Sequence, residues 1–344
     1  MKKHFSLRTK LLLCLCAGLC LALCHGCTAP AETQIDFFAM DTYISLTAYG
    51  PNAAEALRQA ERETYRLESL ISVTRPDSEV YRANHAETRT PVSDTTRHII
   101  DAALEICART NGALDISLYP VTAAWGFTTD AYQVPAAETI DALLRQGDYR
   151  QIDITDAGLR LSEGMMIDLG AVAKGYIGDA AADIMAQNDI ASAIMNFGGD
   201  VRAVGAKPDG SPWRVGIQNP LQPANTLGML HLRDQAAVTS GGYERFFEQG
   251  GETYGHIIDS QTGAPTRNGL VSVTVVGASG TLCDGLSTAL FVMGKEGAIA
   301  HHAAHSDFDM VLVTEDAEVI ITPGLQGHFT LLDTRDYRLV VTGE

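Results

Sequence analysis

Residues 171–205 read AVAKGYIGDAAADIMAQNDIASAIMNFGGDVRAVG, and this stretch decides the fold class. Its first half predicts a helix over about 171–187. Ser192–Asn196 and Val201–Gly205 follow as strands, separated by Phe197-Gly198-Gly199-Asp200. A glycine pair permits positive φ and therefore a two-residue hairpin turn. The helix thus feeds an antiparallel hairpin, not the parallel strand of a βαβ unit.

The same alternation continues outward. Toward the N-terminus, residues 35–48 alternate like a strand, and Pro51-Asn52 opens a helix over 53–72. Further helices are expected at Arg97–Asn111 and 136–147, with a hairpin over 150–162 turning at Asp156-Ala157-Gly158. Toward the C-terminus, strands are expected at 213–218, 227–233 and 236–240, and a hairpin flanks 250–258. A strand at 271–277 leads into helices 281–293 and 296–304, and a last hairpin spans 308–322. Helices and antiparallel hairpins interleave without βαβ spacing, so the class is α+β. No Pro/Gly-rich linker divides the body, which implies two interwoven lobes.

The N-terminus reads separately. Lys2, Lys3, Arg8 and Lys10 precede the apolar run Leu11–Leu23, and no acidic residue occurs before Cys27. This is a secretory signal, too short for an ordinary membrane span. Gly26-Cys27 resembles a bacterial lipobox, which makes Cys27 the expected lipidated residue and the mature N-terminus. The expected plan is residues 1–27 as signal, 28–34 as linker and 35–344 as one domain, tethered to the bacterial membrane on its extracytoplasmic side. A dually acylated terminus holds where a single chain would not. Plain secretion or an uncleaved anchor is the alternative.

The whole chain carries 25 basic and 42 acidic residues, a net of −17. Removing the signal leaves 21 − 42 = −21. Such a balance argues against a nucleic-acid partner, because phosphate neutralisation needs a basic face. A bound anion must be held locally, by a metal ion, placed cations or backbone N–H groups. Five of the seven cysteines lie in the signal, leaving Cys107 and Cys283, which are expected as buried free thiols.

Four segments can carry chemistry. Asp168-Leu169-Gly170 is a capping arrangement, and Lys174 falls early in the following helix, where the dipole does not favour a cation. That suggests an anionic partner, although a solvated lysine is equally ordinary. Asn196-Phe197-Gly198-Gly199-Asp200 fits close backbone approach to a ligand or simply a tight turn. Thr239–Phe247, with Tyr254-Gly255-His256-Ile257-Ile258-Asp259, suits a flat heteroaromatic ligand or an ordinary sheet core with a turn. In Cys283–Leu290, Asp284 and Thr288 are i and i+4 on one helix face. They form an all-oxygen pair of the kind Mg²⁺ takes with waters and phosphates, or merely a cap with an incidental threonine.

Together these segments resemble the ApbE-type FAD:protein FMN transferases, from Met40 to the C-terminus. The resemblance rests on Met40-Asp41-Thr42, Arg75-Pro76-Asp77-Ser78-Glu79, Gly112-Ala113-Leu114-Asp115, Trp125-Gly126-Phe127, Asp168–Gly175, Asn196–Asp200, His256–Asp259 and Asp284–Thr288. It implies a T-fold-related α+β body with two interwoven lobes around an FAD groove. It implies transfer of FMN from FAD to a Thr or Ser hydroxyl of an acceptor flavoprotein, with release of AMP and dependence on Mg²⁺ (or Mn²⁺). By position, Met40, Ala113, Leu114, Asp115, Asp168, Lys174 and Ile258 are the implied FAD contacts. Asp284, Thr288 and the Ala171 carbonyl are the implied metal ligands. His256 and Asp284 are candidates for proton transfer, His256 preferred because a metal-bound carboxylate is a weak base. Asp41 replaces the usual Gly, and Thr74 stands where an aromatic residue is common. The competing readings are an exported FAD-binding lipoprotein and a metal-dependent FAD pyrophosphatase.

Overall fold

The computed structural model describes residues 31–129 and 131–343. The expected signal peptide and Cys27 lie outside the described residues. The strands, in chain order, begin with β1 (Glu32–Ala39), β2 (Thr42–Tyr49), β3 (Asp153–Thr155), β4 (Gly158–Arg160), β5 (Ser192–Phe197) and β6 (Asp200–Gly205). Then come β7 (Trp213–Gln218), β8 (Thr226–Leu232), β9 (Ala236–Gly241), β10 (Phe246–Gln249) and β11 (Glu252–Gly255). β12 (Leu270–Gly277), β13 (Asp309–Thr314), β14 (Glu318–Ile321), β15 (Phe329–Leu331) and β16 (Arg338–Val341) complete the set. The helices are α1 (Ala53–Ile71), α2 (Glu79–Asn84), α3 (Asp94–Arg109), α4 (Tyr119–Ala124), α5 (Ala137–Leu144), α6 (Gly170–Gln187) and α7 (Gly280–Ala304).

Nine strands form one sheet in the order β1-β2-β5-β6-β9-β12-β13-β14-β16. Every neighbouring pair is antiparallel except β14 and β16. The class is therefore α+β, with the first and last thirds of the chain sharing a single sheet. Alternation along β12 shows how the sheet is sandwiched. Val273 and Val275 pack with Leu286 and Leu290 of α7, whereas Val276 packs with Trp213 and Leu230 of the small sheet β15-β8-β7. Helices α1 and α6 cover the N-terminal strands through Leu57, Leu67, Ile177 and Met185. A strand buried on both faces reads as continuous apolar sequence, as Leu270–Gly277 does.

Several expectations are corrected. The stretch 35–48 is a hairpin, not one strand. β1 begins at Glu32, inside the expected linker, and turns at Met40-Asp41, both with positive φ (53° and 57°). Two positive values at the turn match the right-handed twist of the flanking strands. The expected helices 281–293 and 296–304 hold as two helical segments: α7 breaks at Gly294, whose φ of 74° and ψ of 178° leave the helical region. Four short elements, α2, α4, β15 and β16, carry too little periodicity to be read from sequence. Cys107 and Cys283 are buried and unpaired, as expected. Burial pushes the Cys107 thiol up to about 12 and the Cys283 thiol higher still, so neither is reactive near neutrality.

Candidate active site

Two hairpin tips and two helices frame one cleft. The β5–β6 turn uses Gly198 and Gly199, with φ of 68° and 104°, and Asn196 Oδ1 accepts the Gly199 N–H at 2.7 Å. A Cβ on Gly198 would overlap the Thr42 side chain, so only glycine lets this tip lie against the β1–β2 tip. Helices α6 and α7 cross as closely. A Cβ on Gly175 would overlap the Gly280 carbonyl and come within 2.8 Å of Asp284 Cβ. Asp179 of α6 fixes the crossing by accepting from the Gly280 N–H (2.8 Å) and Thr281 N–H (2.9 Å), orphan donors of α7's first turn, and from the Ser279 hydroxyl (3.1 Å).

The resulting cleft has a volume of about 860 Å³. All eleven residues expected at the site line it. Met40 lies at the first hairpin tip, Ala113, Leu114 and Asp115 follow α3, and Asp168, Ala171 and Lys174 lie at the start of α6. His256 and Ile258 follow β11, and Asp284 and Thr288 lie on α7. Asp168 Oδ1 accepts the Gly170 N–H at 2.8 Å in an Asx turn, but the N-cap of α6 is Leu169, so Asp168 stands one residue before the expected capping position. Asp115 Oδ1 accepts from both the N–H (2.8 Å) and the hydroxyl (2.6 Å) of Ser117, which fixes the loop carrying it.

Lys174 is not a free cation. Its Nζ lies 3.0 Å from Oδ2 of Asp200, a residue 5% exposed at the start of β6. The Asp200 charge raises Lys174 above its ordinary value, while burial pushes Asp200 up to about 7. Asp200 closes the Asn196–Asp200 motif, and its position in the sequence assigns it no role. A buried carboxylate beginning a strand looks, in sequence, like a turn residue. Asp284 is 3% exposed and is raised by burial. Its Oδ2 accepts the Gly175 N–H at 2.9 Å.

That hydrogen bond bears on metal binding. In an uninterrupted helix the Gly175 N–H belongs to the Ala171 carbonyl. Here the donor is given to, or shared with, Asp284, which leaves acceptor capacity on the Ala171 oxygen. The Thr288 hydroxyl, one turn along α7, meets Ser240 Oγ at 3.3 Å. One carboxylate, one hydroxyl and one carbonyl make a hard-oxygen set that fits Mg²⁺ completed by water and phosphate. Among the described residues no three His, Cys, Asp or Glu gather as a closed metal cage.

His256 Nδ1 faces the Arg245 carbonyl at 3.2 Å, and Phe127 stands edge-on to its ring. Although the ring is partly open to the cleft, burial lowers it to about 4, so it is neutral at pH 7. Glu244 reaches solvent, yet the surrounding wall pushes it up to about 7. The aromatic segment divides between roles. Phe247 stacks on Tyr254 at 5.1 Å and, with Trp125, builds a small core beside the cleft, whereas Tyr243 and Phe127 line it.

Comparison with known proteins gives one consistent result. A model described as the ApbE family matches residues 40–312. The FAD:protein FMN transferase of Klebsiella pneumoniae is 34% identical over 275 residues, covering 78% of this chain and 85% of the relative. That of Salmonella typhimurium is 31% identical over 307 residues, covering 82% and 88%. The crystal structure of the ApbE protein from Thermotoga maritima superposes with a TM-score of 0.81 at 28% identity, covering 87% of this chain and 99% of that one. The Pseudomonas stutzeri flavinyl transferase ApbE gives 0.76 at 28% identity, over 84% and 93%.

Proposed function

The chain belongs to the ApbE family, and from that premise we infer that it is an FAD:protein FMN transferase. An acceptor Thr or Ser hydroxyl attacks the phosphorus on the FMN side of FAD. A P–O bond forms, the pyrophosphate P–O bond breaks, the hydroxyl proton passes to a base, and AMP leaves. The observation that carries the reading is the meeting of Lys174, Asp284, Thr288, Ala171 and His256 around one cleft.

The chain's own residues divide the work. His256, held by the Arg245 carbonyl and neutral at working pH, takes the hydroxyl proton. The glycine tip at Gly198-Gly199 admits close backbone approach, and Met40, Ala113, Leu114 and Ile258 offer apolar contact for a flavin ring. Asp284, Thr288 and the Ala171 carbonyl would hold Mg²⁺, whose charge would offset that of the pyrophosphate. Lys174 adds a positive charge to the same region, tempered by Asp200. Cys27 carries a lipid that tethers the enzyme to the membrane on its extracytoplasmic side. The support for this tether is the basic segment, apolar run and Gly26-Cys27 sequence.

The test mixes the chain, FAD, Mg²⁺ and a candidate acceptor flavoprotein, then looks for acceptor fluorescence that survives a denaturing gel. Free FMN and AMP with an unlabelled acceptor would instead make it a pyrophosphatase. Bound FAD without either product would make it a flavin-binding protein.

A further inference from the structure

The charge around the cleft is wrong for its substrate. Among the described residues lining it are five carboxylates, Asp41, Asp115, Asp168, Glu244 and Asp284, and only two cations, Lys174 and Arg245. FAD brings two more negative charges. Lys174 is already committed to buried Asp200. Arg245 is committed to little. Its side chain is 50% exposed and lies 3.6 Å from Oδ2 of Asp41, itself 80% exposed. An exposed pair at that distance is worth little and is readily exchanged.

The main chain of Arg245 is well fixed. Its carbonyl accepts the His256 N–H at 3.0 Å and faces His256 Nδ1 at 3.2 Å. The side chain therefore hangs from an anchored backbone, beside His256 and within reach of the Met40-Asp41 tip. Burial raises Asp168 and lowers His256, and the Arg245 charge reaches both groups, opposing the first shift and adding to the second. A guanidinium presents a planar fork that matches phosphate oxygens bidentately, which the point charge of Lys174 does not.

We propose that Arg245 is a phosphate-binding residue of this site, held in reserve by Asp41 and transferred to a phosphate of FAD when the dinucleotide enters. The inference rests on the flavin-transferase reading above. It gives Asp41 an active part as the competitor of the phosphate for the Arg245 guanidinium. Removing the two partners should then have opposite effects on the same ligand, whereas a merely structural pair would respond alike to both.

The experiment compares FAD and riboflavin binding, by quenching of flavin fluorescence, for the full chain and for Arg245→Gln, Arg245→Lys and Asp41→Asn in Mg²⁺ buffer. Arg245→Gln should weaken FAD about tenfold and leave riboflavin within twofold, since only FAD carries phosphate. Arg245→Lys should fall between. Asp41→Asn should tighten FAD two- to threefold, because it frees Arg245 and removes a like charge. Both positions are exposed, so the variants should melt with the parent, and the backbone contacts to His256 remain. Arg245→Gln binding FAD within twofold of the parent would overturn the inference alone, as would Asp41→Asn weakening FAD as much as Arg245→Gln does. A parent chain that binds no FAD would overturn the flavin reading and this inference with it.

Discussion

Gly175 and Asp284 are joined where α6 and α7 cross: the peptide N–H of the first donates to Oδ2 of the second at 2.9 Å. The contact couples fold to site, since the same closeness that lets the helices touch sets the Asp284 carboxylate against the first turns of α6. Gly175→Ala would drive a methyl group into the Gly280 carbonyl and must part the helices. A destabilisation of about 2–3 kcal/mol is expected, by analogy with overpacked cores. Urea unfolding measures it, and an unchanged midpoint would show that the crossing is not tight.

Asp284→Asn keeps an acceptor for the Gly175 N–H and removes the charge. The variant should fold, yet transfer FMN at least a hundredfold more slowly, about 3 kcal/mol in the barrier. Thr288→Ala should be milder, because water replaces a neutral hydroxyl. Transfer rates against Mg²⁺ concentration read both effects. An Asp284→Asn enzyme working at parental rate in chelator would end the metal assignment.

Lys174→Met strands a buried carboxylate. Asp200 already sits at about 7, above its ordinary 3.8, so the fold favours its protonated form. A raised carboxyl makes stability fall as pH climbs from about 4 through 7. The Lys174→Met penalty should therefore be larger at pH 8 than at pH 6. At pH 8 it should reach about 2 kcal/mol, somewhat below a fully buried pair because Lys174 keeps 30% exposure. Lys174→Met with Asp200→Leu should regain most of the loss. Denaturation of the double variant at the single variant's midpoint would refute the pairing argument.

His256 should titrate near pH 4, not 6.5, because burial penalises its charged form. With a lowered pKa, its contribution costs stability as pH drops below 6.5 toward 4, where the unfolded ring takes a proton first. NMR of the ring Cε1–H, assigned through His256→Gln, gives the midpoint. A value near 6.5 would place the ring in open solvent.

Cys27→Ser should release the protein from the membrane into the extracytoplasmic soluble fraction. Fractionation decides the point. Retention of Cys27→Ser together with release of Cys24→Ser would move the lipid to Cys24.

Local signals in the sequence carried most of this site. The Gly198-Gly199 turn and the Asp284/Thr288 spacing depend on residues adjacent in the chain, and both reappear in the structure as read. The Met40-Asp41 turn escaped because neither residue announces positive φ. A signal was nevertheless present: the inward residues Ile35, Phe37 and Ala39 are odd-numbered, while Ile44, Leu46 and Ala48 are even, a parity change that an unbroken regular strand does not allow. Asp200 and Asp179 were illegible for a different reason. Their partners Lys174 and Gly280 stand 26 and 101 positions away, and nothing local marks a carboxylate that will be buried or will cap a distant helix.

The sheet order has a kinetic meaning. Met40 at one tip and Thr288 on α7 are 288 − 40 = 248 positions apart, and the strands between them pair in succession from β2 to β12. No contiguous fragment ending before α7 contains the complete cleft. Assembly must therefore wait until nearly the whole chain is available, with long loops closed before their contacts repay the entropy. Folding should be slow, partial products catalytically inert, and the unpaired strand edges exposed meanwhile open to aggregation.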